Sequence, residues 1–377
     1  MNRLVFNLTR HLRYGTAAAA LLALSAAPAM ANYIQENLVS SVPGLATFTD
    51  SDLKNPWGIT HSGGSPWWVS DNATNKSTLY DGNGVKRLNT IVAIPGLAPT
   101  GVVNNPTVNN PTPSFSIPGS GVSRFIFADE NGHIDAWAGG ANTVIVASTP
   151  DSSYKGLAIG SNASGDFLYA ANFEQNRVDV FNGSFGLTSL PGNFTDPNLP
   201  GGYSPFGIQN INGNIYVAYA LKEQGGDEEQ PGPGLGIVSV FDSNGNFIRE
   251  IAAGGTLNAP WGLTLAPDNF GPFSGDLLVG NFGDGTINAF DPLTDAFEGQ
   301  LKNASGVISI SGLWGIGFGN GGNAGPVNAL YFAAGIDDER EGLFGRIRVP
   351  EPATLPIFGL GLLGLFALRR RKEAKAK

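Results

Sequence analysis

A chain of 377 residues without a cysteine cannot be pinned by disulfides or hold a metal through thiolates, so it must rely on a packed core. Its formal charge of −9 repels nucleic acid and anionic lipid. With 53 glycines, 25 prolines, only 14% charged residues and recurring aromatics, it reads as many short strands and turns rather than disorder.

The N-terminus is an address. Arg3, Arg10 and Arg13 form a basic start, an apolar run follows from Ala17 to Ala27, and Ala29-Met30-Ala31 is a small-x-small cleavage signal. The run is too short to span a bilayer comfortably. Residues 1–31 are therefore read as a cleaved signal peptide, with Asn32 as the mature start. The body that follows, residues 32–349, carries a formal charge near −16 once the basic ends are set aside.

Within the body one word recurs: a glycine after a variable, often aromatic residue, then an aliphatic. It stands at Pro56-Trp57-Gly58-Ile59, Pro99-Thr100-Gly101-Val102 and Tyr154-Lys155-Gly156-Leu157, and again at Pro205-Phe206-Gly207-Ile208, Pro260-Trp261-Gly262-Leu263 and Leu313-Trp314-Gly315-Ile316. The glycines are 43, 55, 51, 55 and 53 residues apart, a spacing that suits propeller blades. A second word follows each first: an apolar strand ending in Asp or Asn, as at Asp71, Asp129, Asn172 and Asn281, with Tyr219 and Ala334 breaking the rule. A third is an alternating strand with an aromatic end, as in Val178–Phe181, Val238–Phe241 and Ile287–Phe290.

These words are strands a, b and c of a unit. Segments such as Thr143–Ser148 and Phe247–Ala252 supply strand d. The expected fold is all-β: a six-bladed β-propeller of four-stranded antiparallel blades. The aromatics are expected to pack blade on blade, and the strand-a glycines to let backbones crowd the axis. The sixth unit ends at Gly342–Arg348 without a strand d, while Glu36–Val42 near the N-terminus has no unit. That segment is expected to complete blade six and close the ring, leaving no free edge.

The C-terminus is a second address. Pro350, Glu351 and Pro352 precede an apolar run from Thr354 to Leu368, expected as a transmembrane helix, and then Arg369, Arg370, Arg371 and Lys372. Positive charge stays inside, which places the body outside the cytoplasm. This arrangement resembles the PEP-CTERM sorting signal. The resemblance implies processing by an exosortase near Pro-Glu-Pro, transient anchoring in the inner membrane over residues 350–377, and delivery to the periplasm, outer surface or extracellular matrix. Extracellular polysaccharide or matrix is the partner class it implies; the acidic charge argues against nucleic acid, and the body is expected to be a monomer.

Because blade strands alternate in direction, the d–a and b–c loops share one face. That face is acidic, with Asp129-Glu130, Asp227-Glu228-Glu229 in a Lys222–Gly236 insertion, and Asp337-Asp338-Glu339. These insertions are expected to be solvated. Asp71, Asp129, Asn172 and Asn281 are the candidate ligand residues there. One reading is oxygen-only coordination of a hard cation such as Ca²⁺. The simpler one is that Asp and Asn end strands because their side chains satisfy turn amides. His61 and His133 cluster with no further ligands and are expected at the surface, while Trp57, Trp261 and Trp314 are expected in the core. No catalytic residue is assigned.

The body as a whole is similar to NHL-like and gluconolactonase-like propellers, most clearly through Asn172-Phe173 and Asn281-Phe282, each followed by an alternating strand. Calcium-dependent lactonases of that architecture carry Glu, Asn and Asp at the channel mouth. The resemblance implies that Asp71, Asp129, Asn172 and Asn281 take such places, although the early blade-one Glu is absent. Two functions follow: a noncatalytic binding or matrix-associated propeller, or a metal-dependent, lactonase-like hydrolase or lyase.

Overall fold

The structure is a computed structural model that describes residues 33–87 and 91–350. The segments read as a signal peptide and as a C-terminal transmembrane helix lie outside the described residues. Among the described residues no helix is long and apolar enough to cross a membrane.

Five four-stranded antiparallel sheets follow one another along the chain, and a sixth joins the last three strands to the N-terminal one, each with strand a innermost. Their inner strands are Pro56–Thr60, Pro99–Asn104, Tyr154–Asn162, Tyr203–Ile211, Pro260–Leu265 and Leu313–Phe318. Each inner strand abuts the next, and the sixth returns to the first. This is the expected six-bladed propeller.

The glycine of each repeated word stands at that abutment. A Cβ on Gly58 would lie 2.6 Å from the Thr100 carbonyl oxygen, and one on Gly156 2.9 Å from that of Phe206. Gly262 and Gly315 face the carbonyls of Trp314 and Trp57 at 2.6 Å, while Gly101 meets Leu157 and Gly207 meets Trp261. Each word therefore touches the backbone of the next around a closed ring, and any side chain there collides with main chain. At the same word the pairing of strand a with strand b slips in all six blades. Such a β-bulge re-aims the residue before the glycine.

Between the blades, alternation fills six hydrophobic wedges. Consecutive tryptophans show the period of two: Trp67 packs with Tyr331 and Phe344 of blade six, and Trp68 with Phe125 and Phe127 of blade two. The strand-c aromatics Phe181, Phe241 and Phe290 each fill the wedge toward the preceding blade.

Ring closure comes from Ile34–Ser40, antiparallel to Leu343–Arg348. The strand begins two residues earlier than expected and stops before Pro43, where the chain turns. Pro43 has no N–H to donate to the ladder. Glu36 spans two partners on the neighbouring strand, with Arg346 and Arg348 Nε each at 2.7 Å. A short segment not expected from sequence, Phe48–Thr49, adds in parallel outside it.

The glycine ring sets a direct test. Gly207→Ala should cost at least about 3 kcal/mol in denaturant unfolding, because the methyl overlaps main chain that cannot yield. Gly201→Ala, with open space around it, should stay within about 0.5 kcal/mol. Equal costs would remove the close-approach argument.

Candidate functional site

The six bulges turn the word's variable residue toward the axis: Trp57, Thr100, Lys155, Phe206, Trp261 and Trp314. Trp57 stacks on Trp314 at 3.6 Å, Trp261 meets both edge-on, and Phe206 lies 5.6 Å from Trp314. Contacts among blades one, four, five and six occur only where all blades converge. Phe282, from the Asn-Phe word of blade five, stacks on Trp314 at 4.1 Å, and Phe173 of blade three joins the cluster. These aromatics form a buried cluster at the d–a/b–c end of the axis. The other end keeps a cavity of about 150 Å³ over the glycine ring.

Lysine occupies this hub in blade three. Lys155 is 1% exposed, and its ammonium sits 5.3 Å from the centre of the Trp57 ring. Burying an unpaired ammonium costs several kcal/mol, so partners are obligatory. Glu130 Oε1 lies at 2.5 Å and Glu228 Oε2 at 2.7 Å. Glu229 is 7% exposed, and its Oε2 has no hydrogen-bond partner among the described residues. Burial pushes its carboxyl up to about 8 against the pull of Lys155. Burial likewise raises Glu339, opposed by the hydrogen bond from Asn55 and by Lys155.

Asparagines tie these carboxylates to the hub. Asn72 donates to Glu130 Oε2 at 3.0 Å, Asn55 donates to Glu339 Oε2 at 2.7 Å, and the Trp314 indole donates to Asn55 Oδ1 at 3.2 Å. The loop that carries Glu339 is strained. Asp337, Asp338 and Glu339 are consecutive non-glycine residues with φ of 57°, 50° and 61°. Each costs about 1 kcal/mol in this region, which the Asn55 contact helps to hold.

The sequence-derived residues sit around this hub but bind within their own blades. Asp71, Asp129, Asn172 and Asn281 are all fully buried at the ends of their b strands. Asp71 accepts from the Thr78 amide at 2.8 Å. Asp129 accepts from the amides of Asn131 and His133, both at 2.9 Å, and from His133 Nδ1 at 3.0 Å. Asn172 donates to Ser152 and Asp179 and accepts from the Gln175 amide, while Asn281 accepts from the Asn258 amide and donates to Thr256 O. No hydrogen bond joins any two of the four. Among the described residues no three His, Asp or Glu side chains form a metal-binding group.

Two sequence readings change here. The Lys222–Gly236 insertion is not wholly solvated: Glu223–Glu228 are exposed, but Glu229 folds inward because the buried ammonium below it draws carboxylates over the axis. His133 and His61 are half-buried, the latter edge-on to Trp67 and bonded to the Phe318 carbonyl at 2.8 Å. Lys155 went unnoticed as a site residue. The signal was available, as a lysine in a repeat position that four of its five counterparts fill with an aromatic.

Comparison with known proteins fits this picture. Residues 348–372 match the PEP-CTERM protein-sorting motif. The chain is 33% identical over 327 residues to uncharacterized protein R648 of Acanthamoeba polyphaga mimivirus, covering 82% of this chain and 78% of that one. A glucose dehydrogenase structure is similar with a TM-score of 0.51 at 12% identity, covering 85% of this chain and 100% of that one. A virginiamycin B lyase from Staphylococcus aureus gives 0.50 at 17% identity, over 85% and 99%. At these identities the two enzymes share the fold alone.

The raised carboxyls make a signed prediction. A carboxyl raised in the folded state contributes its full stability below its unfolded pKa, about 4, and loses it as pH rises through the folded value. For Glu229 the loss runs from about pH 4.5 to about 8. Glu229→Gln should therefore shrink the fall in Tm between pH 5 and 8.5, recovering about 2 kcal/mol at the upper end. An unchanged fall would show that Glu229 does not titrate there. Lys155→Met should cost about 3–5 kcal/mol at pH 8, because it strands the carboxylates.

Proposed function

The chain belongs to the propeller family that includes the mimiviral protein R648, and we propose that it serves as an exported, noncatalytic binding propeller delivered by an exosortase-type route. The sorting motif marks a protein exported toward the cell surface. On this reading residues 1–31 are removed on export, 32–349 form the ring, and 350–377 are the sorting segment. Release or attachment then displays the ring to an extracellular matrix.

One observation carries the noncatalytic part. The axial position where an enzyme of this shape needs an open mouth is packed with Trp57, Trp261, Trp314 and Phe282, and its cation is already matched by carboxylates. A substrate would have to displace stacked aromatics, at about 1 kcal/mol for each pair beyond their area burial. A ring presenting rigid loops at both faces suits binding better than turnover.

Two measurements test the reading. Expressed in a host with an exosortase, the full chain should begin at Asn32 and lose the segment beyond Pro350–Pro352. In the same host without that enzyme it should stay full-length at the C-terminus in the inner membrane. Replacing Pro350, Glu351 and Pro352 by alanine should block the cut, and processing that ignores these changes would overturn the route. A lactone-hydrolysis screen with Ca²⁺ should show no turnover above buffer. Turnover abolished by Asp71→Asn or Asp129→Asn would establish the hydrolase instead.

A further inference from the structure

We propose that the groove between blades one and two, on the face opposite the carboxylate hub, binds a glycan unit bearing a carboxylate. This rests on the binding reading above and gives it a ligand class and a place. The groove encloses about 740 Å³, within the range of small-ligand sites. It is walled by Trp68, Phe125 and Trp137 and rimmed by Asn104, Asn109 and Arg124.

Its chemistry sets it apart from the rest of the surface. In a chain with 31 acidic residues against 22 basic ones, no Asp or Glu lines it. Arg124 is exposed and, among the described residues, has no carboxylate partner. The other six arginines among the described residues are each paired with an Asp or Glu. A free guanidinium presents a planar fork that matches one carboxylate through two parallel hydrogen bonds. A single arginine with no second cation suits a monoanion better than a phosphate dianion.

The wall supplies the rest of a sugar site. Trp68 stacks on Phe125 at 4.0 Å and lies 4.6 Å from Trp137, whose indole is fixed by a 2.9 Å hydrogen bond to Gly140 O. Trp137 is only half-buried, so its ring offers an apolar plate for the C–H face of a pyranose. Trp68 is 3% exposed, yet its indole N–H has no acceptor among the described residues. A buried donor left unmatched carries a desolvation cost. Asn104 donates to Arg124 O at 3.1 Å, which leaves its carbonyl oxygen to accept from a hydroxyl.

Titration of the full chain with trimers of galacturonate, glucuronate and mannuronate, and with their neutral methyl esters, tests this by tryptophan fluorescence and calorimetry. At least one acidic trimer should bind ten or more times tighter than its ester. Arg124→Gln should erase that preference without moving Tm, and Trp137→Ala should weaken acid and ester together by fivefold or more. No binding by any trimer, a preference that survives Arg124→Gln, or inorganic phosphate binding as tightly as the trimers would overturn the proposal. Tail processing and lactone turnover are read separately, so failure here leaves the sorted, noncatalytic propeller standing.

Discussion

Six inner strands meet around one axis with main chain against main chain, and only a residue without a Cβ fits at the contact. That constraint explains why glycine recurs at blade spacing, and why Gly58, Gly101, Gly156, Gly207, Gly262 and Gly315 each face the next word in turn. The close approach also forces the bulge. The residue before each glycine cannot continue the ladder and turns inward, so the variable position of the repeat becomes the hub of the molecule. Around that hub the wedges between blades carry most of the buried apolar surface, as expected where each sheet has two covered faces.

The hub makes the two ends of the channel chemically unlike. On the d–a/b–c side, stacked indoles and one ammonium are buried together, and four glutamates gather over them. A buried lysine is weak evidence for stability, because its desolvation offsets much of its Coulomb attraction. It is better evidence for specificity of arrangement: Glu130, Glu228, Glu229 and Glu339 come from blades two, four and six, and Lys155 gives them a common point. The opposite side has no carboxylate in its blade-one/blade-two groove and keeps an arginine without a partner. That groove therefore differs in local charge from the carboxylate hub, on a chain that is acidic overall.

The sorting motif begins at Arg348, the last residue of strand c in blade six. Ring closure is complete at that residue, because Arg348 pairs with Ile34 and bonds Glu36. A cut near Pro350–Pro352 thus leaves every strand of the ring, from Ile34 to Arg348, in place.

The blade count, the strand order, the closing segment and the terminal sorting motif were legible in the amino-acid sequence. Each is a local pattern that the chain repeats or carries at its ends, and local pattern is what strand period and turn chemistry read. Of the four candidate residues only Asp129 bonds mainly within its own turn, whereas Asp71 reaches Thr78 on strand c, Asn172 reaches Ser152 and Asp179, and Asn281 reaches the preceding d–a loop. The site was not legible. Lys155 lies 25 residues from Glu130 and 73 from Glu228. Glu339 and Asn55, 284 residues apart, meet only because the ring closes. Likewise no Asp or Glu lines the groove that holds Arg124, which no single repeat reveals. Sequence alone determined how many blades there are and where the chain is addressed. Tertiary structure decided which side chains share the axis and the groove, because closing six blades sets neighbours that sequence distance does not encode.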